Sequence, residues 1–255
     1  MNRLSIITVV KNDLSSLKST HRSINELAID YEWIVIDGGS DPETSHWMQI
    51  LVSPHTTYLR EKDKNLYDAM NKGIKLATGT HLLFINAGDE LVNSPELIQA
   101  FSSLSVDIGF IGCIRRSLGR LTDSFYLVKP GQLLKWTLRN GIKPVNHQAT
   151  IYPTTFLKSN PYYIEIGLFA DQISILELLK TRPVQISRKI VVSTFQNGGL
   201  GDNQSRGAFL RQMLKFNFQS GTDLQKLLLI LQLPVILLTK VILSIFHRIR
   251  ILFSR

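Results

Sequence analysis

The sequence has few of the features that define several large classes of protein. Of its 255 residues only Cys113 is a cysteine, so no internal disulfide is possible and a reducing compartment is expected. The turn after the first apolar run, VVKNDL, lacks the G-x-G-x-x-G pattern of dinucleotide-binding enzymes. A G-x-x-x-x-G-K-[ST] phosphate loop and a paired Cys/His zinc spacing are also missing. The N-terminal apolar run stops at Lys11, before it reaches the length of a signal peptide.

Acidic residues are missing from the last part of the chain. Between residues 224 and 255 there is no Asp or Glu, so this segment contributes +5 of the net charge of +9. Its five basic residues are Lys226, Lys240, Arg248, Arg250 and Arg255. They are interleaved with long aliphatic runs and not with aromatic residues, which favours an anionic membrane surface over nucleic acid as the partner.

The same segment is apolar enough to raise the question of a membrane span. A transmembrane helix needs about 20 apolar residues, and the run from Leu227 to Phe246 approaches that length. Polar residues and a proline interrupt it at Gln232, Pro234, Thr239 and Lys240. We therefore favour a bent helix that lies on the membrane. The alternatives are a span and a core helix of the domain.

The rest of the chain begins with a regular alternation of two patterns. Short apolar runs rich in β-branched residues predict strands, and segments with apolar residues at helical spacing predict helices. Such alternation indicates a mostly parallel sheet with helices on both faces. The predicted strands are 4–10, 32–39, 56–61 and 81–85, and the predicted helices are 13–28, a short one from Pro42, and 65–79 with Gly79 as its stop.

The middle of the chain is less regular. Strands are predicted in 105–117 and 147–153, a helix in 169–182, and one or two strands in 183–195. A polar, glycine-rich loop, QNGGLGDNQS, follows. Domain boundaries are expected near Glu96 and Asp202.

Carboxylates stand where two of the predicted strands end. Asp37 and Asp89 occupy such positions, and Thr8, Lys11 and Glu61 do so more loosely. In open parallel sheets ligands bind beyond the carboxyl ends of the strands, and oxygen ligands suit Mg²⁺ or Mn²⁺ with substrate phosphates completing the shell. A single such carboxylate could instead be a helix cap. The pattern predicts a metal-dependent, nucleotide-handling α/β enzyme.

Several segments resemble the successive blocks of family-2 glycosyltransferases with the GT-A fold, closest to the colanic-acid and O-antigen type. The segments are LSIITVVKND, EWIVIDGGSD, EKDKNLYDAMNKGIKLATG and LLFINAGDEL, followed by NHQATIYP and FADQISILELLK. The resemblance covers about Leu4 to Asp202. It implies a Rossmann-like, mostly parallel sheet with flanking helices, to which the membrane-associated helical tail is added. The expected parts are a nucleotide-sugar-binding half (1–95), an acceptor-binding and catalytic half (96–202) and the tail (203–255).

The resemblance also assigns roles to individual residues. It implies that Asp89 holds a divalent metal, Mn²⁺ or Mg²⁺, on the donor diphosphate, and that Asp171 is the catalytic base. His147 and Gln148 match a pair near the acceptor. The residues expected on the donor side are Thr8, Asp37, Glu61, Asp63 and Asn86.

The implied reaction is inverting transfer of a sugar, from a nucleotide-sugar that we expect to be UDP-linked, to a saccharide acceptor. With the tail, this predicts an acceptor carried on polyprenyl diphosphate at the cytoplasmic face of a bacterial inner membrane, where the enzyme is peripheral or monotopic. The pathway expected is surface polysaccharide synthesis, such as O-antigen or lipopolysaccharide. The other classes considered are a sugar nucleotidyltransferase, whose Gly-rich and Arg-containing N-terminal loop is missing, and a non-catalytic membrane-bound scaffold.

The chain departs from the family pattern at several positions. Asn86 and Gly88 stand where the family writes Asp in its metal motif, so metal binding rests on Asp89. Asn65 stands where relatives have Gly, and Asn tolerates a left-handed backbone. Two site residues have simpler explanations, since Asp171 could be a helix N-cap and His147 an ordinary buried polar residue. Tyr67 and Met70 are expected in the core, and Glu90 is expected in solvent or facing a helix and not as a metal ligand.

Overall fold

A computed structural model describes residues 2–51, 53–116, 121–122, 146–167 and 170–196. The tail at 203–255 and most of the loop QNGGLGDNQS lie outside these residues, so the predictions for them stay predictions. Within the described ranges, no helix is both long and apolar enough to cross a membrane.

The elements of the first half follow the predicted alternation. They are β1 (Leu4–Val10), α1 (Leu14–Asn25), β2 (Tyr31–Asp37), α2 (Pro42–Ile50), β3 (Thr56–Arg60), α3 (Leu66–Leu76), β4 (His81–Phe84), β5 (Glu90–Leu91) and α4 (Pro95–Ser102). The second half contains β6 (Gly109–Arg116), β7 (Leu121–Thr122), a 3-10 turn (His147–Ala149), β8 (Thr150–Pro153), α5 (Thr154–Ser159), a second 3-10 turn (Ile164–Ile166), α6 (Ala170–Thr181) and β9 (Val184–Phe195).

The sheet formed by the described strands is mixed, so the prediction of a mostly parallel sheet is correct only for its first half. The strand order is β3-β2-β1-β4-β8-β6-β9-β5, with β7 paired to β6. Strands β1 to β4 are parallel to one another, as their crossover helices require. Strand β8 is antiparallel to both β4 and β6, and β5 is antiparallel to β9. Among the described strands of the second half, only β6 and β9 form a parallel pair.

Strand β1 lies at the centre of the first half and carries the tightest packing. Ile6 and Ile7 are fully buried on opposite faces of the strand. Helix α3 approaches β1 so closely that a Cβ at Gly73 would lie 2.5 Å from Ile7 Cγ2. Any side chain at this position would push α3 away from the sheet, and α3 carries residues of the site described below.

Two local predictions about α3 are wrong. Asn65 has an extended backbone (φ −166°), not a left-handed one, and its Oδ1 caps the helix by accepting hydrogen bonds from the amides of Tyr67 and Asp68. At the other end, the helix stops at Leu76 and not at Gly79. Gly79 lies in the connection after the helix, where its amide donates a hydrogen bond to the Glu32 carboxylate at 2.8 Å.

Glu32 is a buried carboxylate that ties β2 to the α3–β4 connection. It accepts hydrogen bonds from the Ser5 hydroxyl (2.5 Å), the Thr78 amide (2.6 Å) and hydroxyl (2.9 Å), and the Gly79 amide. Burial opposes ionisation of Glu32, but these hydrogen bonds outweigh it and lower the pKa of the carboxyl. The carboxylate lies near the amino ends of the strands, away from the ligand-binding edge.

Glu32→Gln should lower the free energy of unfolding by about 1–2 kcal/mol, because the hydrogen bonds lose a charged acceptor. The amide oxygen can still accept from the Thr78 and Gly79 amides, which donate to the same carboxylate oxygen, and the NH₂ group then faces the Thr78 hydroxyl. A depressed folded pKa means that the stabilisation by Glu32 is present above the ordinary carboxyl pKa and is lost as pH falls through the folded pKa. Urea unfolding at several pH values measures both effects, with the exposed Glu26→Gln as control. Equal stability of the two variants at neutral pH would contradict the prediction.

Candidate functional site

The turn after β4 is shaped by a glycine and held by α1. Gly88 has φ +96°, a conformation that favours glycine. Its amide donates to the Thr20 hydroxyl at 3.0 Å, and that hydroxyl donates to the Asp89 carbonyl at 2.7 Å. The turn therefore places the Asp89 side chain at the carboxyl end of β4, as the sequence predicts.

Asp89 is buried and bonded to the protein through both oxygens. Only 5% of the residue is exposed to solvent. One oxygen accepts a hydrogen bond from the Gln196 amide at 2.9 Å, and the other accepts one from the Gln148 side chain. Burial raises the pKa of Asp89 to about 6, against the effect of these hydrogen bonds. Gln196 is a contact that the sequence did not indicate, since it lies 107 residues away.

The 3-10 turn at 147–149 carries His147, which contacts a second carboxylate, that of Asp171. The Asn146 side chain caps this turn by accepting from the Gln148 amide at 3.0 Å. His147 Nδ1 lies 3.2 Å from Asp171 Oδ2, and both residues are buried. Asp171 Oδ1 accepts a hydrogen bond from the Gln172 amide at 2.8 Å. Asp171 is the second residue of α6 and binds the amide of the next residue, whereas an N-cap side chain accepts from an amide two or three residues ahead. The alternative that Asp171 is the N-cap of this helix is therefore wrong.

The 147–149 turn thus joins the two carboxylates that the sequence assigned to metal and base. Gln148 binds Asp89, and the adjacent His147 binds Asp171. On its other side, His147 Nε2 lies 3.5 Å from Asn86 Nδ2. We call Asn86, Asp89, His147, Gln148 and Asp171 the central cluster. The structure brings together the predicted metal, base and acceptor residues and one of the donor residues.

Tyr67 adds a third group around Asp171 that the sequence analysis missed. We expected a core residue there, and the ring is buried. The side chain also hydrogen-bonds to Asp171, and burial together with the charge of Asp171 raises the pKa of Tyr67 well above its ordinary value. The location of Tyr67 within the motif LYDAMNKGI was the signal for a role beyond packing.

Three predicted donor residues lie together at the ends of β2 and β3. Asp37 is fully buried, and its carboxylate accepts from the Gly39 and Ser40 amides and from the Tyr58 hydroxyl at 2.7 Å. Asp63 lies against the same loop, because a Cβ at Gly38 would be 2.8 Å from Asp63 Oδ2. Asp37 therefore fixes the shape of the loop that Asp63 contacts.

Lys72 neutralises the acidic residues next to this loop. Its Nζ lies 2.6 Å from Asp63 and 3.1 Å from Glu61, with Asp68 at 3.9 Å. These ion pairs raise the pKa of Lys72 even though burial opposes ionisation. Lys72 was not among the predicted site residues, although it is part of the motif that carries the resemblance.

Lys72→Met should weaken donor binding and lower the free energy of unfolding by about 2 kcal/mol, because Asp63 would keep its charge without a partner. The ammonium of Lys75, on the same helix, is exposed, so Lys75→Met is the matched control. Thermal melting and calorimetric titration with UDP measure the two effects. If both variants melt and bind UDP alike, the ion pairs do not organise the site.

Thr8 is placed below this region and not on its surface. The residue is fully buried, and its hydroxyl accepts a hydrogen bond from the Trp33 indole at 3.0 Å. The structure therefore brings Asp37, Glu61 and Asp63 together but keeps Thr8 beneath them. A direct contact of Thr8 with the donor stays a prediction.

The described residues provide one carboxylate for a metal ion at the end of β4. They contain no group of three or more His, Cys, Asp or Glu side chains able to hold one. Asp89 fits a hard cation as a single oxygen ligand, with phosphate oxygens and water supplying the rest of the shell.

Comparison with known sequences gives a family. Residues 5–144 match the family model described as glycosyl transferase family 2. The chain is 41% identical over 196 residues to a PGL/p-HBAD biosynthesis glycosyltransferase of Mycobacterium bovis, covering 72% of this chain and 73% of the relative. It is 29% identical over 212 residues to an uncharacterised glycosyltransferase of Mycobacterium tuberculosis, covering 80% and 79%.

Comparison with solved structures gives the fold. The S. aureus TarS fragment 1–349 in complex with UDP-GlcNAc matches with a TM-score of 0.63 at 14% identity, over 84% of this chain and 65% of that one. The mannosyltransferase PcManGT from Pyrobaculum calidifontis, in complex with GDP-Man and Mn²⁺, matches with a TM-score of 0.58 at 14% identity, over 87% and 65%. The chain thus spans just under two thirds of these solved chains. The family match and the shared architecture lead to one conclusion: the chain belongs to glycosyltransferase family 2 and has a GT-A-like α/β fold with a mixed sheet.

Proposed function

We propose that this chain transfers a sugar, with inversion, from a UDP-linked nucleotide-sugar to a hydroxyl group of a saccharide acceptor. The observation that carries the proposal is the central cluster, in which one short turn connects Asp89 with Asp171. A glycosyl transfer needs a group for the leaving diphosphate and a proton acceptor for the incoming hydroxyl, and the cluster places candidates for both side by side.

In this reaction the acceptor oxygen forms a bond to the anomeric carbon as the bond from that carbon to the diphosphate breaks. The proton of the acceptor hydroxyl passes to the His147–Asp171 pair, whose two members lie 3.2 Å apart. Displacement in a single step inverts the anomeric configuration. Asp89 would hold Mn²⁺ or Mg²⁺, which as a Lewis acid would stabilise the charge of the departing diphosphate.

The donor side of the proposal rests on the loop after β2. Asp37 shapes this loop through its bonds to the Gly39 and Ser40 amides, and Asp63 lies against it. Asp37 is fully buried, so Asp63 is the carboxylate of this pair that can accept a hydrogen bond from a nucleobase or a ribose. UDP is favoured as the nucleotide because the S. aureus neighbour was crystallised with UDP-GlcNAc.

The first experiment identifies the donor. The full-length protein is heated with a panel of UDP-, GDP- and dTDP-sugars, each with Mn²⁺, with Mg²⁺ or with EDTA. A donor present at 100 times its Kd should stabilise the fold by about 2.7 kcal/mol, which is visible as a rise in Tm. Release of the nucleoside diphosphate and the anomeric configuration of the product are then measured. Stabilisation without any turnover would indicate a binding protein, and retained configuration would exclude direct displacement.

The acceptor is proposed to be carried on polyprenyl diphosphate at the cytoplasmic face of a bacterial inner membrane, in surface polysaccharide or glycolipid synthesis. Support comes from the basic, apolar sequence of residues 224–255. Each buried Leu or Ile contributes about 1.5–3 kcal/mol, and each Lys or Arg near anionic lipid about 1 kcal/mol. Lys240 opposes deep insertion, which favours a helix lying on the surface over a straight span.

Truncation after Asp223 should release the protein from anionic liposomes and leave the catalytic part active. Flotation measures membrane binding, and transfer is assayed on a water-soluble acceptor analogue and on a lipid-linked acceptor. The truncated protein should react with the first and poorly with the second. An unfolded truncated protein would show that the tail is core, and a full-length protein that never floats would end the membrane proposal.

A further inference from the structure

Two asparagine side chains of α3 hold the segment that leads towards α6. Asn71 binds the backbone of Tyr162 twice, since its Nδ2 donates to the Tyr162 carbonyl at 2.8 Å and its Oδ1 accepts from the Tyr162 amide at 2.9 Å. Asn65, the N-cap of the helix, donates through Nδ2 to the Ile164 carbonyl at 3.0 Å. The segment 162–164 therefore has a fixed position against α3.

Tyr67 lies one turn before Asn71, on the same face of α3, and reaches the start of α6. Its ring is buried and packs edge-on against the Tyr162 ring, with centroids 5.2 Å apart. Its hydroxyl accepts a hydrogen bond from the Asp171 amide and donates one to the Asp171 carboxylate. That amide belongs to the first turn of α6, where backbone N–H groups lack a partner within the helix. A single hydroxyl thus binds the backbone and the side chain of Asp171 and fixes one relative to the other.

The other bonds of Asp171 come from α6 itself and from the 3-10 turn at 147–149. Oδ1 accepts from the Gln172 amide at 2.8 Å, and Oδ2 faces His147 Nδ1 at 3.2 Å. Tyr67 is the contact that joins Asp171 to α3, the helix whose Lys72 binds the acidic residues of the proposed donor site. One helix therefore contributes both to the proposed donor site and to the surroundings of the base.

We propose that Tyr67 is a positioning residue for the catalytic base, and that its hydroxyl holds the Asp171 carboxylate in one orientation. This inference rests on the proposed function and adds a role for α3 in the chemical step. The acceptor oxygen bonds to the anomeric carbon, its proton passes to the Asp171 carboxylate, and the nucleoside diphosphate leaves with the electron pair of the broken bond. Tyr67 takes no proton. It restrains the carboxylate before the reaction begins, so that the transition state does not have to restrain it.

The Tyr67 hydroxyl remains a donor at any pH suitable for an assay. Burial and the charge of Asp171 raise the pKa of Tyr67 well above its ordinary value. The phenol therefore stays neutral and keeps the hydrogen that it donates. A hydrogen bond to a charged acceptor is stronger than one to a neutral acceptor, so its loss should be measurable.

Unfolding in urea tests the bond without any substrate. Tyr67→Phe removes the hydroxyl and keeps the ring that packs against Tyr162. In the full-length protein it should raise the equilibrium constant of unfolding by about tenfold or more. In the Asp171→Ala background the same change should raise it by about threefold or less, because the charged acceptor is gone. Equal effects in the two backgrounds would overturn the proposal, since the hydroxyl would then not hold the carboxylate.

Steady-state kinetics tests the role in the chemical step, with the donor that stabilises the protein most on heating and the water-soluble acceptor analogue. Tyr67→Phe should lower kcat by about 10–100-fold and leave the donor KM within about twofold. Because Tyr67 acts through Asp171, the same change should lower the residual kcat of Asp171→Ala by about threefold at most. An unchanged kcat in Tyr67→Phe, or an equal loss in both backgrounds, would mean that Tyr67 only packs the core.

Tyr162→Phe is the matched control, because it removes a second phenolic hydroxyl from the same buried pair of rings. It should keep kcat within about twofold of the wild type and have the same effect on unfolding in both backgrounds. A loss of kcat equal to that of Tyr67→Phe would assign the effect to the pair of rings and overturn the proposal. If the wild type turns over no nucleotide-sugar, the proposed function fails and the catalytic role of Tyr67 fails with it, while the unfolding measurements still decide whether Tyr67 holds Asp171.

Discussion

Asp171→Asn should lower kcat by about 10³–10⁴-fold and leave donor affinity within about twofold. The amide keeps the shape of the side chain and the oxygen that accepts from the Gln172 amide. An amide cannot accept the proton of the incoming hydroxyl. The loss therefore falls on the chemical step and not on the proposed donor site at the ends of β2 and β3.

The measurement separates kcat from donor affinity, because only this separation distinguishes a chemical role from a binding one. Glu177→Gln, on the same helix, removes a partly exposed carboxylate paired with Lys180 and is the matched control. If Asp171 only bonded to the free amides of the first turn of α6, the variant would keep near-normal turnover and a nearly unchanged Tm. That outcome would remove Asp171 from the mechanism.

The parallel half of the fold could be predicted from sequence because each of its elements has a local signature. Strand β1 is a continuous apolar run, and Pro42 marks the start of α2 at the expected position. The mixed second half has no such signature, since β8 finds its antiparallel partners in β4 and β6, the first of them far away in the sequence. Long-range pairing of this kind depends on the packing of the whole domain and not on local pattern.

The candidate site shows the same division between local and distant information. The motif after β4 predicted the position of Asp89, because the turn at Gly88 is a local structure. The bonds of Asp89 to Gln148 and Gln196 join residues 59 and 107 positions apart, and no local pattern indicates them. The resemblance to known glycosyltransferases identified His147 and Gln148 as a pair, but not that each binds one of the two carboxylates.

Asp89→Asn should abolish transfer and stabilise the metal-free protein at neutral pH. Without a carboxylate at this position, donor affinity should lose its dependence on Mn²⁺ or Mg²⁺, and kcat should fall by roughly 10²–10⁴-fold, since a Lewis acid contributes several kcal/mol to such a step. The fold should tolerate the amide. Its oxygen can accept from the Gln196 amide, and its NH₂ can donate to the Gln148 side chain once that amide has rotated.

The stabilisation follows from the buried charge. The pKa of Asp89 is raised to about 6 in the folded protein, whereas the pKa of an Asp in an unfolded chain is about 3.9. Above pH 6 the wild type is therefore destabilised by its ionised, buried carboxylate. The difference between the folded and unfolded pKa corresponds to at most about 3 kcal/mol. This destabilisation decreases as pH falls from 6 towards 4, because the folded protein takes up a proton that the unfolded chain does not. The variant lacks this titration.

Urea unfolding in EDTA, at pH 7.5 and pH 4.5, measures this difference, and donor binding with and without Mn²⁺ measures the metal dependence. Glu90→Gln is the matched control, since Glu90 is the adjacent acid and its carboxylate accepts a hydrogen bond from the Ser19 hydroxyl at 2.8 Å. The variant should be more stable than the wild type at pH 7.5, and the difference should fall to about a third of that value at pH 4.5. Normal turnover with metal still required would remove Asp89 from the metal site. A loss of stability at pH 7.5 would show instead that the carboxylate is needed for the fold, because its bonds to Gln148 and Gln196 would then outweigh the cost of burying its charge.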